Sequence, residues 1–174
     1  MIAAGCGANA RQDELRPAAD QGQAVTLGWS ENCGTNASPL LITTRRVVAG
    51  PNRWTVDLSV TNRTGVPLTI ERPHVSGGAE FGLSFYRTAA RSEIEARARA
   101  GAAKPQLYAD TYDPRLPPAL LDGERWNGSF SGRGRIRRSG PIRIVLGRFV
   151  VRGRAPRGFP ERFLCISERV LRLG

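Results

Sequence analysis

Apolar and polar residues alternate most regularly in residues 54–61 of this chain. Four large apolar side chains occupy every second position there: Trp54, Val56, Leu58 and Val60. Because side chains of a β-strand point to opposite faces in turn, this period of two predicts a strand with one face in a core and the other in water. The β-rich run 40–48 comes before it, and the turn residues of 49–52 separate the two, so we expect a hairpin.

Further short runs rich in β-forming residues follow this hairpin. We predict strands over residues 66–71, 82–87, 125–130, 142–152 and 162–172. Pro67 cannot donate a hydrogen bond to a ladder, which places it at a strand start or on an edge. We expect Ile142, Ile144 and Leu146 in the core, and the proline-rich residues 104–121 as an irregular crossover loop. Short strands separated by turns predict a β-sandwich or a barrel, and of these we expect an antiparallel sandwich.

Residues 92–100 carry the one helix that the pattern predicts. Ser92 and Glu95 form a capping box, and Glu93 lies four residues before Arg97, which is a favourable pairing on a helix. We therefore expect a mainly β fold with one short helix inserted near residues 92–100.

The N-terminal residues differ in composition from the rest of the chain. Residues 1–6 read MIAAGC, which resembles the lipobox of bacterial lipoproteins, where the cysteine is lipidated. The resemblance makes Cys6 a lipidation candidate, although Ala3 stands where leucine is usual and the charged and apolar parts of a signal peptide are missing. The small, polar residues that follow predict a flexible linker, which a frayed terminus would match equally. We expect a lipobox-like start and linker over residues 1–23 and a single β-sandwich domain over residues 24–174.

Three stretches of sequence resemble the bacterial extracellular immunoglobulin-like domains. Residues 56–62 (VDLSVTN), followed by residues 65–70 (GVPLTI), are similar to a strand, turn and strand of that family. Residues 121–126 (LDGERW) are similar to the entry of a later strand. The resemblance implies an immunoglobulin-like antiparallel β-sandwich that belongs to the cell envelope. It implies no catalytic residue, because these motifs are structural.

The charge of the chain is strongly positive, with 26 basic against 15 acidic residues and a formal net charge of +11. Such a balance attracts nucleic acid, anionic lipid or acidic polymers. Lys104 is the only lysine, and the arginines are spread along the chain, which favours solvated surfaces over one concentrated nucleic-acid site. No apolar run approaches the roughly 20 residues of a membrane-spanning helix. Charge alone therefore names no partner.

The strongest local concentration of charge lies in residues 131–140 (SGRGRIRRSG). Four arginines there could form a basic finger that binds phosphates or an anionic surface: Arg133, Arg135, Arg137 and Arg138. The alternative, which we favour, is a long hairpin connection whose arginines stay solvated. The finger is nevertheless the best candidate binding site in the sequence.

Three cysteines are present: Cys6, Cys33 and Cys165. If Cys6 is acylated, Cys33 and Cys165 remain as a pair, and we expect a disulfide between them, as in exported proteins. Two unrelated buried thiols are the alternative.

Candidate catalytic groups are few. His74 is the only histidine, and spacing assigns no serine or cysteine partner to it, so a structural role is favoured. A zinc site would need a cluster of cysteine and histidine that the sequence lacks. Four acidic residues suit turns and caps better than a calcium loop: Asp110, Asp113, Asp122 and Glu124. We therefore expect no enzyme activity, no metal and no cofactor.

The function expected from these features is a non-catalytic module of the cell envelope, exported and lipid-anchored, with a binding or structural role. Its partner would be a protein, an envelope polymer or an anionic surface, and a membrane would be contacted only through the lipid. Nucleic acid is not an expected partner. The alternative is a basic protein of the cytoplasm that binds nucleic acid or another polyanion.

Overall fold

A computed structural model describes residues 22–70, 81–90, 92–93, 96 and 105–174 of the chain. In these residues the strands assemble into two antiparallel sheets that share one hydrophobic core. The strands are β1 (Gln23–Asn32), β2 (Leu40–Ala49), β3 (Arg53–Asn62), β4 (Leu68–Ile70), β5 (Gly82–Phe85), β6 (Leu107–Tyr108), β7 (Thr111–Asp113), β8 (Arg125–Arg133), β9 (Ser139–Val151) and β10 (Arg162–Arg172). The first sheet has the order β1-β2-β3-β8-β7, and the second has the order β10-β9-β5-β6, with β4 paired to β9. The predicted mainly β, antiparallel sandwich is confirmed.

The strand β3 shows how the alternating pattern builds the core. Its four large apolar side chains are all buried, as predicted: Trp54, Val56, Leu58 and Val60. The polar residues between them lie on the opposite face of the sheet. Ala49 at the end of β2 faces Trp54 at the start of β3, so the predicted β2–β3 hairpin is also confirmed.

The strand β9 contributes the facing layer of the core. Ile142, Ile144 and Leu146 are buried, as predicted. Directly after them Gly147 has a φ of 104°, at the point where the pairing of β9 with β10 shifts by one residue. Glycine adopts this conformation without the steric cost of a side chain. The bulge changes which residues face inward, so that Phe149 is buried in the core beyond it.

Residues 134–138 connect β8 in the first sheet with β9 in the second. The long hairpin that we favoured for this segment is therefore wrong, because β8 and β9 do not pair with each other. β8 pairs with β3 and β7, whereas β9 pairs with β10, β4 and β5. Consecutive strands are neighbours only about two-thirds of the time. The turn residues of this segment carry no signal that separates the two cases.

Two other regions contain more strand than the sequence predicted. β1 was missed, although Val25, Leu27 and Trp29 alternate with small or polar residues and lie half-buried against the core. Residues 104–121, expected as an irregular loop, include the short strands β6 and β7. β4 begins directly after Pro67, as expected for a residue without an N–H group.

The helix expected near residues 92–100 is not seen as an element of the structure. Of that range only Ser92, Glu93 and Ala96 are described, each with helical backbone, and the rest lies outside the described residues. Cys6, the linker up to residue 21 and His74 also lie outside them. Among the residues that are described, no helix is long and apolar enough to span a bilayer.

Candidate functional site

One edge of the sandwich is closed by a disulfide and by polar contacts. Cys33, directly after β1, is bonded to Cys165 in β10, with a Cα–Cα distance of 5.4 Å, so the predicted pairing is confirmed. Further along β10, the hydroxyl of Ser167 donates a hydrogen bond to the carboxylate of Glu31 at 2.8 Å. Arg169 pairs with the same carboxylate oxygen at 2.8 Å. These contacts join the outermost strands of the two sheets across sequence separations of 132 to 138 residues.

Asn62 organises a corner at the end of the sandwich where β3 leaves the first sheet. Its side chain is fully buried. The amide nitrogen donates to the carbonyl oxygens of Val66 at 2.8 Å and Leu120 at 3.0 Å, and the amide oxygen accepts from the N–H and the hydroxyl of Thr64. The chain passes here from β3 to β4 in the second sheet. Residues 56–70, which resemble a family motif, are thus the segment in which the chain passes from the first sheet to the second.

The acidic residues beside this corner hold turns together. Asp122 accepts a hydrogen bond from the backbone N–H of Gly65 at 2.8 Å, and Glu124 accepts one from the N–H of Leu121 at 2.8 Å. An open groove of about 420 Å³ lies next to them. In the described part of the chain, no group of three or more His, Cys, Asp or Glu residues is placed to hold a metal ion. The geometry gives these carboxylates a structural role.

The β8–β9 connection, which carries the candidate arginines, is held against the other end of the sandwich. The N–H of Gly134 donates to the carbonyl oxygen of Asn52 in the β2–β3 turn at 2.9 Å. The N–H of Leu173 donates to the carbonyl oxygen of Arg138 at 2.6 Å. Between these two contacts, the side chain of Ile136 is buried in the core. The segment is therefore anchored along its length and does not project as a free finger.

Two of the four candidate arginines have partners within the protein. Arg133 lies 3.8 Å from a carboxylate oxygen of Asp110. Arg53, which faces Arg133 across the β3–β8 ladder, pairs with the other oxygen of Asp110 at 3.1 Å. Arg137 donates a hydrogen bond to the carbonyl oxygen of Tyr86 at 3.1 Å. Both side chains nevertheless stay exposed, and that of Arg133 is 88% exposed, so these contacts are loose and only Arg133 lies near a carboxylate.

The other two candidates, Arg135 and Arg138, are exposed. Within the described residues no carboxylate pairs with either of them. Arg172 at the end of β10 is in the same situation, and it faces Ser139, the residue next to Arg138. Arg87, which follows Tyr86, is exposed as well. We call the surface formed by Arg87, Arg135, Arg138 and Arg172 the arginine end. The sequence indicated Arg135 and Arg138, but not Arg87 and Arg172, because these two are distant from them in the chain.

A buried ion pair on the outer face of the second sheet was not anticipated from the sequence. The side chain of Arg143 is only 2% exposed. Its Nε donates to a carboxylate oxygen of Glu168 at 2.5 Å, and Nη2 contacts the same oxygen. The guanidinium carbon lies 5.3 Å from the centre of the Tyr86 ring, within reach of a cation–π interaction. The sequence did carry a signal for this pair, because Arg143 and Glu168 each interrupt the apolar run of a predicted strand. A charged residue that is buried needs a partner of opposite charge.

Comparisons with protein-family models, with curated proteins and with solved structures found no match for this chain. The resemblance to bacterial extracellular immunoglobulin-like domains therefore stays a prediction. Two features of the chain itself bear on its function: the sandwich edge that the Cys33–Cys165 disulfide closes, and the arginine end.

Proposed function

We propose that this chain is an exported, non-catalytic binding module of the cell envelope, held at the membrane by a lipid on Cys6. The disulfide between Cys33 and Cys165 is the observation that carries the proposal. Structural disulfides persist in oxidising compartments outside the cytoplasm and are rare within it. The bond also closes a sandwich edge, where it would limit fraying of two outer strands.

The contacts of the polar side chains support a role without catalysis. Asp122 and Glu124 bind backbone N–H groups, and Asp110 is engaged by Arg53. The buried Arg143 is bonded to Glu168. These groups stabilise turns and pairings between strands, which is the expected use of carboxylates in a scaffold. A module of this kind acts through its surface.

The second candidate is a basic protein of the cytoplasm that binds nucleic acid or another polyanion. The net charge of +11 favours it, because long-range attraction to any polyanion follows from that charge. In that compartment the two cysteines would be kept as thiols by the reducing environment. The oxidation state of Cys33 and Cys165 therefore separates the two candidates.

Alkylation with iodoacetamide in denaturant, before and after reduction, followed by mass spectrometry, measures this state directly, because Cys165 is buried in the folded protein and would be protected there even as a thiol. We expect Cys33 and Cys165 to be protected before reduction and modified after it. Reduction should also lower the free energy of unfolding by about 2–4 kcal/mol, because the unfolded chain loses a long closed loop. Modification of both cysteines in the unfolded but unreduced protein would contradict export and favour the cytoplasmic candidate.

Fractionation of the cells that make the protein tests the lipid separately. We expect the protein in the membrane fraction, with Cys6 carrying the mass of a lipid. The variant Cys6→Ser should move to the soluble fraction with its disulfide intact. An unmodified Cys6 in the natural protein would contradict lipid anchoring and leave export to be decided by the disulfide.

A further inference from the structure

The first strand starts at the same end of the sandwich as the exposed arginines. β1 begins at Gln23, which faces Ala49 at the end of β2. The turn after Ala49 contains Asn52, whose carbonyl oxygen accepts the hydrogen bond from Gly134 in the β8–β9 connection at 2.9 Å. The segment that would carry the anchor therefore joins the domain at this end, so this end is the one tethered to the bilayer.

We propose that the arginine end is a membrane-facing surface that binds the phosphate groups of anionic phospholipids. The inference rests on the proposed envelope function, because that function brings a bilayer to this end. Guanidinium groups bind phosphate oxygens through two parallel hydrogen bonds, which suits arginine better than lysine. A lipid chain together with a basic patch is a known combination for stable attachment to membranes.

The guanidinium groups of the arginine end differ from those of Arg46, Arg53 and Arg143, which are paired with carboxylates. Arg135, Arg138 and Arg172 have no carboxylate partner among the described residues, so their charge is available to a ligand. They come from the β8–β9 connection and from the end of β10. The N–H of Leu173 donates a hydrogen bond to the carbonyl oxygen of Arg138 at 2.6 Å. Hydrogen bonds thus fix the backbone that carries these arginines next to one another.

The opposite end of the sandwich supplies a matched control. Arg63, Arg154 and Arg157 are also exposed, and no described carboxylate pairs with them. Arg63 lines one groove together with Pro156 of the β9–β10 loop, which places these residues at one end. Removing three charges there changes the net charge as much as removing three at the arginine end. The two variants then differ in the end of the sandwich from which the three charges are removed.

The experiment measures binding of the full, unlipidated chain to vesicles by co-sedimentation at low salt. One set of vesicles contains phosphatidylglycerol and phosphatidylcholine, and the other contains phosphatidylcholine alone. The test variant carries Arg135→Gln, Arg138→Gln and Arg172→Gln; the control variant carries Arg63→Gln, Arg154→Gln and Arg157→Gln. Thermal unfolding confirms that both variants keep the native fold, as expected for changes at exposed positions.

We expect binding to the anionic vesicles only, and a loss on the order of 100-fold in the test variant, since each arginine near an anionic leaflet contributes about fivefold. The control variant should stay within about 3-fold of the natural chain. Equal losses in both variants would overturn the proposal, because binding would then follow net charge alone. Tighter binding to duplex DNA than to anionic vesicles, lost in the same test variant, would assign this end to nucleic acid and also overturn it. These vesicle results do not depend on export, which alkylation tests independently.

Discussion

Two ion pairs of the same chemistry occupy equivalent positions on the outer faces of the two sheets. Arg46 in β2 stands directly opposite Asp57 in β3, and its Nε lies 2.7 Å from a carboxylate oxygen of Asp57. Arg143 in β9 stands directly opposite Glu168 in β10, at 2.5 Å. The side chain of Arg46 is 53% exposed, whereas that of Arg143 is 2% exposed. The arginine of the pair therefore lies in water on one sheet and is shielded from it on the other, whereas the two carboxylates are similarly exposed, at 23% for Asp57 and 29% for Glu168.

The side chains around the two pairs differ as well, because they are polar near Arg46 and apolar beside Arg143. Near Arg46 the outer face of the first sheet carries small polar side chains, such as Thr43, whose hydroxyl is hydrogen-bonded to that of Ser30 at 2.9 Å. Beside Arg143 on the second sheet, Val145 is fully buried. An exposed pair contributes little, because water screens it and both ions were already solvated. A buried ion without its partner is costly, so its pair is needed once the site is buried.

The replacement Arg143→Ala should have the largest effect on this contrast. We expect the free energy of unfolding to fall by about 3 kcal/mol, because the replacement empties the space of a buried side chain that packs on Tyr86 and removes the cation that pairs with Glu168. The value lies at the low end of the usual range because Glu168 is 29% exposed and regains some hydration. Urea denaturation measures it.

A double replacement provides the control for that measurement. Arg143→Met combined with Glu168→Leu removes both charges and fills the space, and it should recover most of the lost stability. A loss below about 1 kcal/mol for Arg143→Ala would show that the second sheet is no more shielded than the first.

The replacement Asn62→Ala tests whether burial has the same consequence for an uncharged side chain. We expect a loss of about 2 kcal/mol, since the carbonyl oxygens of Val66 and Leu120 each lose a buried donor. Asn127→Ala, at an exposed position on β8, is the matched control and should change stability by less than about 0.5 kcal/mol. Equal effects of the two replacements in denaturant titrations would remove burial as the deciding factor.

The replacement Arg46→Ala should have the smallest effect. We expect a loss of about 0.5 kcal/mol at low ionic strength, as is usual for exposed pairs, and almost none in 1 M sodium chloride. Thermal unfolding at the two salt concentrations measures both values. A loss comparable to that of Arg143→Ala, or one that salt does not reduce, would break the contrast between the two faces.

The sequence by itself determined the features that depend on neighbours along the chain or on counting. The alternation from Trp54 to Val60 predicted the core face of β3, since a period of two is a property of the strand itself. The turn before it predicted the β2–β3 hairpin. The pairing of Cys33 with Cys165 followed from having three cysteines and one candidate for acylation. The alternation in β1 was equally readable and was overlooked.

Only the tertiary structure decided which strands pair and which charged residues are left free. Residues 134–138 look the same whether they close a hairpin or cross between sheets, because the choice depends on contacts that β8 and β9 make with distant strands. Arg137 and Arg138 are adjacent in sequence and both exposed, yet the carbonyl oxygen of Tyr86 accepts a hydrogen bond from Arg137 and not from Arg138. Arg143 and Arg46 are likewise indistinguishable by residue type, and their exposure differs because burial depends on what the folded chain places over each sheet face. Energies of charged groups follow their solvent and their partners, and both are set by residues far apart in the sequence.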